Sequence, residues 1–80
     1  MTVKINLKLI KSLRETSCRS ISDVAAYLGY KTPTSWWLIE SGQRNMSISA
    51  LYKLSLLFKL PMEELLIVRE DGATTDEDEG

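Results

Sequence analysis

"SISDVAAYLGYKTPTSWWLIESGQRN", residues 20 to 45, decides how this chain is read. Ser20, with Asp23 three residues on, has the order of a capping box, in which two side chains satisfy free backbone N–H groups of a first helical turn. Val24, Ala25 and Leu28 follow at helical spacing as an inner face, and the alanines permit close packing. Gly29 ends the run, as glycine commonly does at a helix C-terminus. Thr32 is then a good N-cap, and Pro33 fits the first helical position, where its missing N–H costs nothing. A helix over 33–41 follows, stopped by Gly42. Two short helices joined by a tight glycine-containing turn make a helix-turn-helix candidate.

The stretch also holds both tryptophans of the chain, side by side. Adjacent helix positions stand about 100° apart, so they seldom share one buried face. Counting back from Glu40 puts Trp36 and Ile39 on the inner face. Trp37 then faces outward beside Thr34 and Leu38. An outward tryptophan has three readings. It packs over base edges or a thymine methyl, it meets a protein partner, or it folds back on the domain itself.

Working outward, Asn6 can cap a helix over 7–16 with Leu9, Ile10 and Leu13 on one face. The polar stretch "TSCRS" ends it. Ser47 caps a fourth helix with Ile48, Leu51, Leu54, Leu57 and Phe58 as an apolar stripe, and "KLP" breaks it. Residues 62–68 are expected to form a short fifth helix with Leu65 and Leu66 inward. No sustained period-two alternation is evident, so no sheet is expected. From Gly72 onward almost nothing is apolar, and such composition predicts disorder.

Composition narrows the chemistry. Eighty residues make one small domain. A single cysteine, Cys18, allows no intrachain disulfide. There is no histidine, which removes Cys/His zinc sites and Ser-His or Cys-His nucleophile pairs. No glycine-rich nucleotide loop is present. No catalytic residue, metal ligand or cofactor is expected, and no enzyme is read here. No apolar run approaches the roughly 20 residues of a membrane span, and the N-terminus lacks a signal-peptide core. A cytoplasmic protein is the expectation. The net charge of −1 hides a split: residues 1–69 carry ten bases and five acids, whereas residues 70–80 carry six acids and no base. A basic body with an acidic tail suits a domain that binds a polyanion.

The ordered series of these features resembles the Cro/C1-type (XRE) helix-turn-helix family of phage repressors and bacterial regulators over roughly residues 5–68. The matches are Ser20 and Asp23, "AYLG" closing the second helix, "WLIESGQRN" closing the third, and "ISALYKLSLLFKLPMEELL" over the last two helices. The resemblance implies an all-α, lambda-repressor-like domain of five short helices over 1–69, with the acidic tail appended at 70–80. It implies sequence-specific binding to double-stranded DNA, commonly as a homodimer on a palindromic operator, by a repressor or Cro-like switch protein. The chain departs from the family at several places. The turn "GYKT" is one residue longer than the commonest version, and Lys59 stands where glycine often ends the fourth helix. Ile21 replaces a phosphate-reaching glutamine, and proline and tryptophan replace polar residues on the reading face.

The expected DNA surface comprises Lys31 in the turn, Thr32, Thr34 and Ser35 at the start of the third helix, Trp37 and Leu38 on its outer face, and Gln43, Arg44 and Asn45 just after it. Basic and small polar groups there suit phosphate contacts, and a helix N-terminus adds free N–H groups. Arg14 falls where the family has an arginine paired with the glutamate ending the third helix, here Glu40, so the resemblance implies a structural ion pair. Met62, Leu66, Ile67 and Val68 form an expected dimer surface, with completion of the monomer core as the alternative. A rival reading keeps the fold as a protein-interaction module, such as an antirepressor, without DNA binding. Exposed Trp37 and Leu38, Ile21 in place of glutamine, and the acidic tail favour that rival.

Overall fold

The computed structural model describes residues 1–70, and the acidic tail expected from residue 70 lies, apart from Glu70, outside them. The described chain runs β1 (Thr2–Ile5), α1 (Leu7–Thr16), α2 (Ile21–Leu28), α3 (Pro33–Glu40), α4 (Ile48–Phe58), a 3₁₀ turn over Met62–Leu65, and β2 (Leu66–Arg69).

Helix starts follow the side chains. The Asn6 carboxamide oxygen accepts from the Leu9 N–H at 3.1 Å. Ser20 and Asp23 form both halves of a capping box: the Asp23 N–H donates to Ser20 Oγ at 3.0 Å, and the Ser20 N–H donates to Asp23 Oδ2 at 2.8 Å. That backbone donor, with the Ser20 hydroxyl, holds the Asp23 carboxyl below its usual pKa. Ser47 Oγ caps α4 by accepting from the Ala50 N–H at 3.1 Å. Thr32 occupies the position before α3 but makes no side-chain cap; its hydroxyl lies 3.3 Å from Ser35 Oγ instead. Helix α3 ends at Glu40, one residue short of the expected end, with Ser41 as its cap.

All four α-helices end alike. Residues Cys18, Gly29, Gly42 and Lys59 each take positive φ (59°, 88°, 87° and 58°). Each follows a helix, and the next residue's N–H reaches back to a carbonyl of the last turn: Arg19 to Arg14, Tyr30 to Ala25, Gln43 to Leu38 and Leu60 to Ser55. This is the Schellman closure, which satisfies carbonyls the helix leaves free. Glycine supplies it twice without steric penalty, and cysteine and lysine supply it at a penalty.

The fold is mostly helical but not all-α, and the expected fifth helix is absent. After one 3₁₀ turn the chain becomes β2, which pairs antiparallel with β1 in the register Thr2↔Arg69, Val3↔Val68, Lys4↔Ile67 and Ile5↔Leu66. Two causes favour the strand. Ile67 and Val68 are β-branched and prefer an extended backbone. A seven-residue helix would also carry a nucleation cost that few hydrogen bonds repay. The matching signal in β1 is a short alternation, with Val3 and Ile5 separated by Lys4.

The core draws Ile10 from α1, Val24, Ala25 and Leu28 from α2, Trp36 and Ile39 from α3, Ala50, Leu51 and Leu54 from α4, and Leu65 from the 3₁₀ turn. Each large side chain buried there contributes about 1.5–3 kcal/mol of transfer free energy. The opposed pair Ile5 and Leu66 packs on this core, as do Ile21 and Tyr30. Among the described residues no helix is long and apolar enough to cross a membrane.

Candidate nucleic-acid interface

Helix α3 packs chiefly on α2 and also touches α1. Its two faces differ sharply. Trp36 is fully buried and Ile39 nearly so, whereas Trp37 keeps 48% of its surface exposed. The adjacent tryptophans therefore divide, one inward and one outward.

A buried polar network fixes the inner face. Arg14 Nε donates to Glu40 Oε2 at 2.8 Å, and Arg14 Nη2 donates to Glu40 Oε1 at 3.0 Å. This two-pronged geometry matches the planar guanidinium to the carboxylate and adds directionality to the charge pairing. Arg14 Nη1 donates to the Arg19 carbonyl at 3.0 Å, tying in the turn between α1 and α2. Glu40, through its hydrogen bonds, raises the Arg14 pKa against the opposing effect of burial, so the guanidinium stays charged. Sequence reading missed the fourth member: Trp36 Nε1–H donates to Glu40 Oε2 at 3.0 Å. The i, i+4 spacing of Trp36 and Glu40 was the available signal, because side chains four apart on a helix meet. The network joins α1, α3 and the first turn, so α3 cannot rotate about its axis without breaking a buried ion pair.

The outer face is differently furnished. Thr34 and Trp37 are exposed, and Leu38 is half-buried. Their spacing places them with Ser41 along one side of α3. Ser35 is half-buried and Thr32 exposed, and their hydroxyls engage each other. Ser41 Oγ donates to the Leu38 carbonyl and accepts from Gln43 Nε2, each at 3.2 Å. Among the described residues the side chains of Lys31, Thr34, Arg44 and Asn45 have no hydrogen-bonding or ionic partner, and all four are exposed. Lys31 precedes α3 and Arg44 follows it, so two unpaired cations flank an outward face of small polar and apolar groups.

The expected dimer residues do not gather into one patch. Met62 and Leu66 pack against the core. Ile67 and Val68 are adjacent in β2, so they project from opposite faces of the sheet. Neither the comparison with protein-family models nor that with curated proteins returns a match to this chain.

Proposed function

We propose that this chain is a sequence-specific regulator that binds double-stranded DNA through the major groove, with α3 as its reading helix. The observation that carries this reading is the contrast between the faces of α3. The inner face is held by Trp36, Glu40 and Arg14. The outer face presents Thr34, Trp37 and Leu38 between the unpaired Lys31 and Arg44. A rigidly held helix with short polar groups at its N-terminal end and cations on its flanks suits base reading with phosphate anchoring. Trp37 offers an apolar ring to base edges or a thymine methyl. Repressor or Cro-like switch activity, a phage or mobile-element source, a cytoplasmic setting and a dimer on a palindromic operator belong to the same proposal. Nothing in the chain's chemistry calls for catalysis.

The experiment is selection of bound fragments from genomic DNA, followed by competition binding on the recovered site and on scrambled duplex. Thr34→Ala and Trp37→Ala are expected to change sequence preference. Lys31→Ala and Arg44→Ala are expected to weaken all duplexes alike and to lower the salt slope by about one each. Unchanged affinity in all four variants would end the DNA-binding reading.

The half-exposed Trp37 beside Leu38 supports a second reading, in which the same face docks a protein. Absence of any salt-dependent affinity for duplex DNA, together with a soluble partner lost on Trp37→Ala, selects that reading.

A further inference from the structure

Helix α1 meets the end of α3 at two points. Arg14 donates to Glu40, the last residue of α3. Leu7 reaches the turn beyond it, its Cδ1 lying 3.7 Å from where a Cβ on Gly42 would stand. Lys11 comes four residues after Leu7 and three before Arg14, so it stands on the same side of α1, between these two contacts. Its side chain is exposed and, among the described residues, has no hydrogen-bonding or ionic partner, although Glu15 lies four residues on. Lys8, three residues before Lys11, is also exposed and without a partner. The surface next to these lysines is the one that surrounds α3. Trp37 stands three residues before Glu40, on the edge of α3 beside the side that meets α1. Arg44 belongs to the turn that Leu7 touches, and its N–H donates to the Leu38 carbonyl at 3.2 Å, which holds that turn on α3. Lys11 lies one helical turn, about 5.4 Å, along α1 from Leu7.

We propose that α1 belongs to the DNA interface: Lys11, with Lys8 beside it, holds backbone phosphate at the border of the groove that α3 reads. This rests on the DNA-binding reading above and extends its contact surface past α3 and the adjoining turns. An ammonium group with no acid engaged beside it exchanges its counterion for phosphate, and each such exchange adds salt-dependent affinity. Lysine suits the task, because a phosphate at the edge of the groove calls for a charge on a long flexible stem rather than a fixed fork of donors. The buried Arg14–Glu40 pair locks α1 to α3, so a phosphate held at Lys11 also sets where α3 lies over the bases. The start of α2 offers no substitute anchor. Ile21 has no polar group, and the Ser20 N–H is taken up by the Asp23 carboxylate at 2.8 Å. Glu15 works against the lysines. Its exposed carboxylate is on the same side of α1, 4.0 Å from Arg14 Nη2, and repels phosphate.

Titration of the full chain with a random-sequence duplex across a salt series tests it. Lys8→Ala and Lys11→Ala should each flatten the salt slope by about 0.9. Glu15→Gln should tighten binding roughly two- to fivefold at low salt, the size of an exposed charge contact. Lys53→Ala should change neither slope nor affinity, because α4 packs on the 3₁₀ turn and is fastened to α2 through the Tyr27 hydroxyl. Neutral methylphosphonates placed one at a time along a duplex selected by the protein then locate the contact. At one position the substitution should weaken the unaltered chain and leave Lys11→Ala indifferent, and Lys11→Arg should behave as the unaltered chain does. Circular dichroism checks that each variant folds. Unchanged binding in the Lys8 and Lys11 variants, a slope that falls as far with Lys53→Ala, or no phosphate whose effect depends on Lys11 overturns the proposal and leaves the DNA-binding reading standing. An unaltered chain that binds no duplex at any salt concentration overturns both.

Discussion

Lys59 and Cys18 close helices α4 and α1 in the left-handed region, at φ 58° and 59°. An L side chain there costs about 1 kcal/mol, because Cβ crowds the following carbonyl oxygen. The neighbouring closures at Gly29 and Gly42 escape that cost. Lys59→Gly and Cys18→Gly are therefore each expected to stabilise the fold only slightly, by at most about 0.5 kcal/mol, because the greater freedom of glycine in the unfolded chain offsets much of the gain. Lys59 also places a cation at the negative end of α4, which is worth about 0.3 kcal/mol when exposed, so its gain should be the smaller. Chemical denaturation measures both through the midpoint at constant slope. A loss of stability in Cys18→Gly would show that its thiol makes a contact the helix end needs. Position 59 was legible as an awkward place for lysine, because glycine so often ends such a helix. Position 18 was not, because "TSCRS" reads equally well as any polar turn. Only the Arg19 N–H to Arg14 carbonyl bond reveals the left-handed residue between them.

Helix α3 depends on groups outside itself. Its outward residues include Trp37 and Leu38, which gain nothing from water, and Thr32 gives it no side-chain cap. Orientation instead comes from Trp36 and Ile39 in the core and from the Arg14–Glu40 pair. Removing one member of a buried pair strands the other charge, so Arg14→Met is expected to cost about 3–5 kcal/mol. Replacing both, as Arg14→Met with Glu40→Leu, should recover part of that loss but not all. The double variant leaves Trp36 Nε1–H buried without its acceptor, at about 1–3 kcal/mol. Denaturation of Arg14→Met, Glu40→Leu and the double variant decides it; additive losses would mean that the two side chains do not act as a pair. The four α-helices were readable from caps and apolar spacing, because local signals such as Ser20 with Asp23 specify a helix end by themselves. The two strands were not. Each is four residues long and is stabilised by a partner at the other end of the chain, so its cause is not local. Residues 62–68 shared the helical cues of an acidic first turn and inward leucines, and the pairing of β2 with β1 overrode them after Leu65. The outward face of α3 was legible as a face, through the register from Glu40, while the Trp36–Glu40 hydrogen bond that locks it was not.

At the scale of the whole chain the dominant feature is the separation of charge. Residues 1–70 hold all ten bases and six acids, and residues 71–80, outside the described residues, hold five acids and no base. A duplex offers one negative charge per ~1.7 Å of its length, and neutralising phosphates is the larger part of nonspecific affinity. If the chain binds DNA as proposed, an acidic segment joined to it would compete with phosphate for the basic groups of residues 1–70 without needing any defined contact. Its reach in charge terms is short, since the Debye length is about 8 Å at physiological ionic strength. Competition therefore bears on binding held by charge alone more than on binding that also uses base contacts. Deleting Asp71 to Gly80 is expected to tighten binding to random duplex more than to a selected site, chiefly at low salt. Titrations of the full and shortened chains across a salt series measure this as two slopes and two affinities. If both chains bind random duplex with one affinity and one slope, the acidic residues serve only to keep the protein in solution. If the shortened chain gains equally on both sequences, the segment lowers affinity without sharpening choice, and the competition acts on the cations that flank α3 whatever bases lie beneath them.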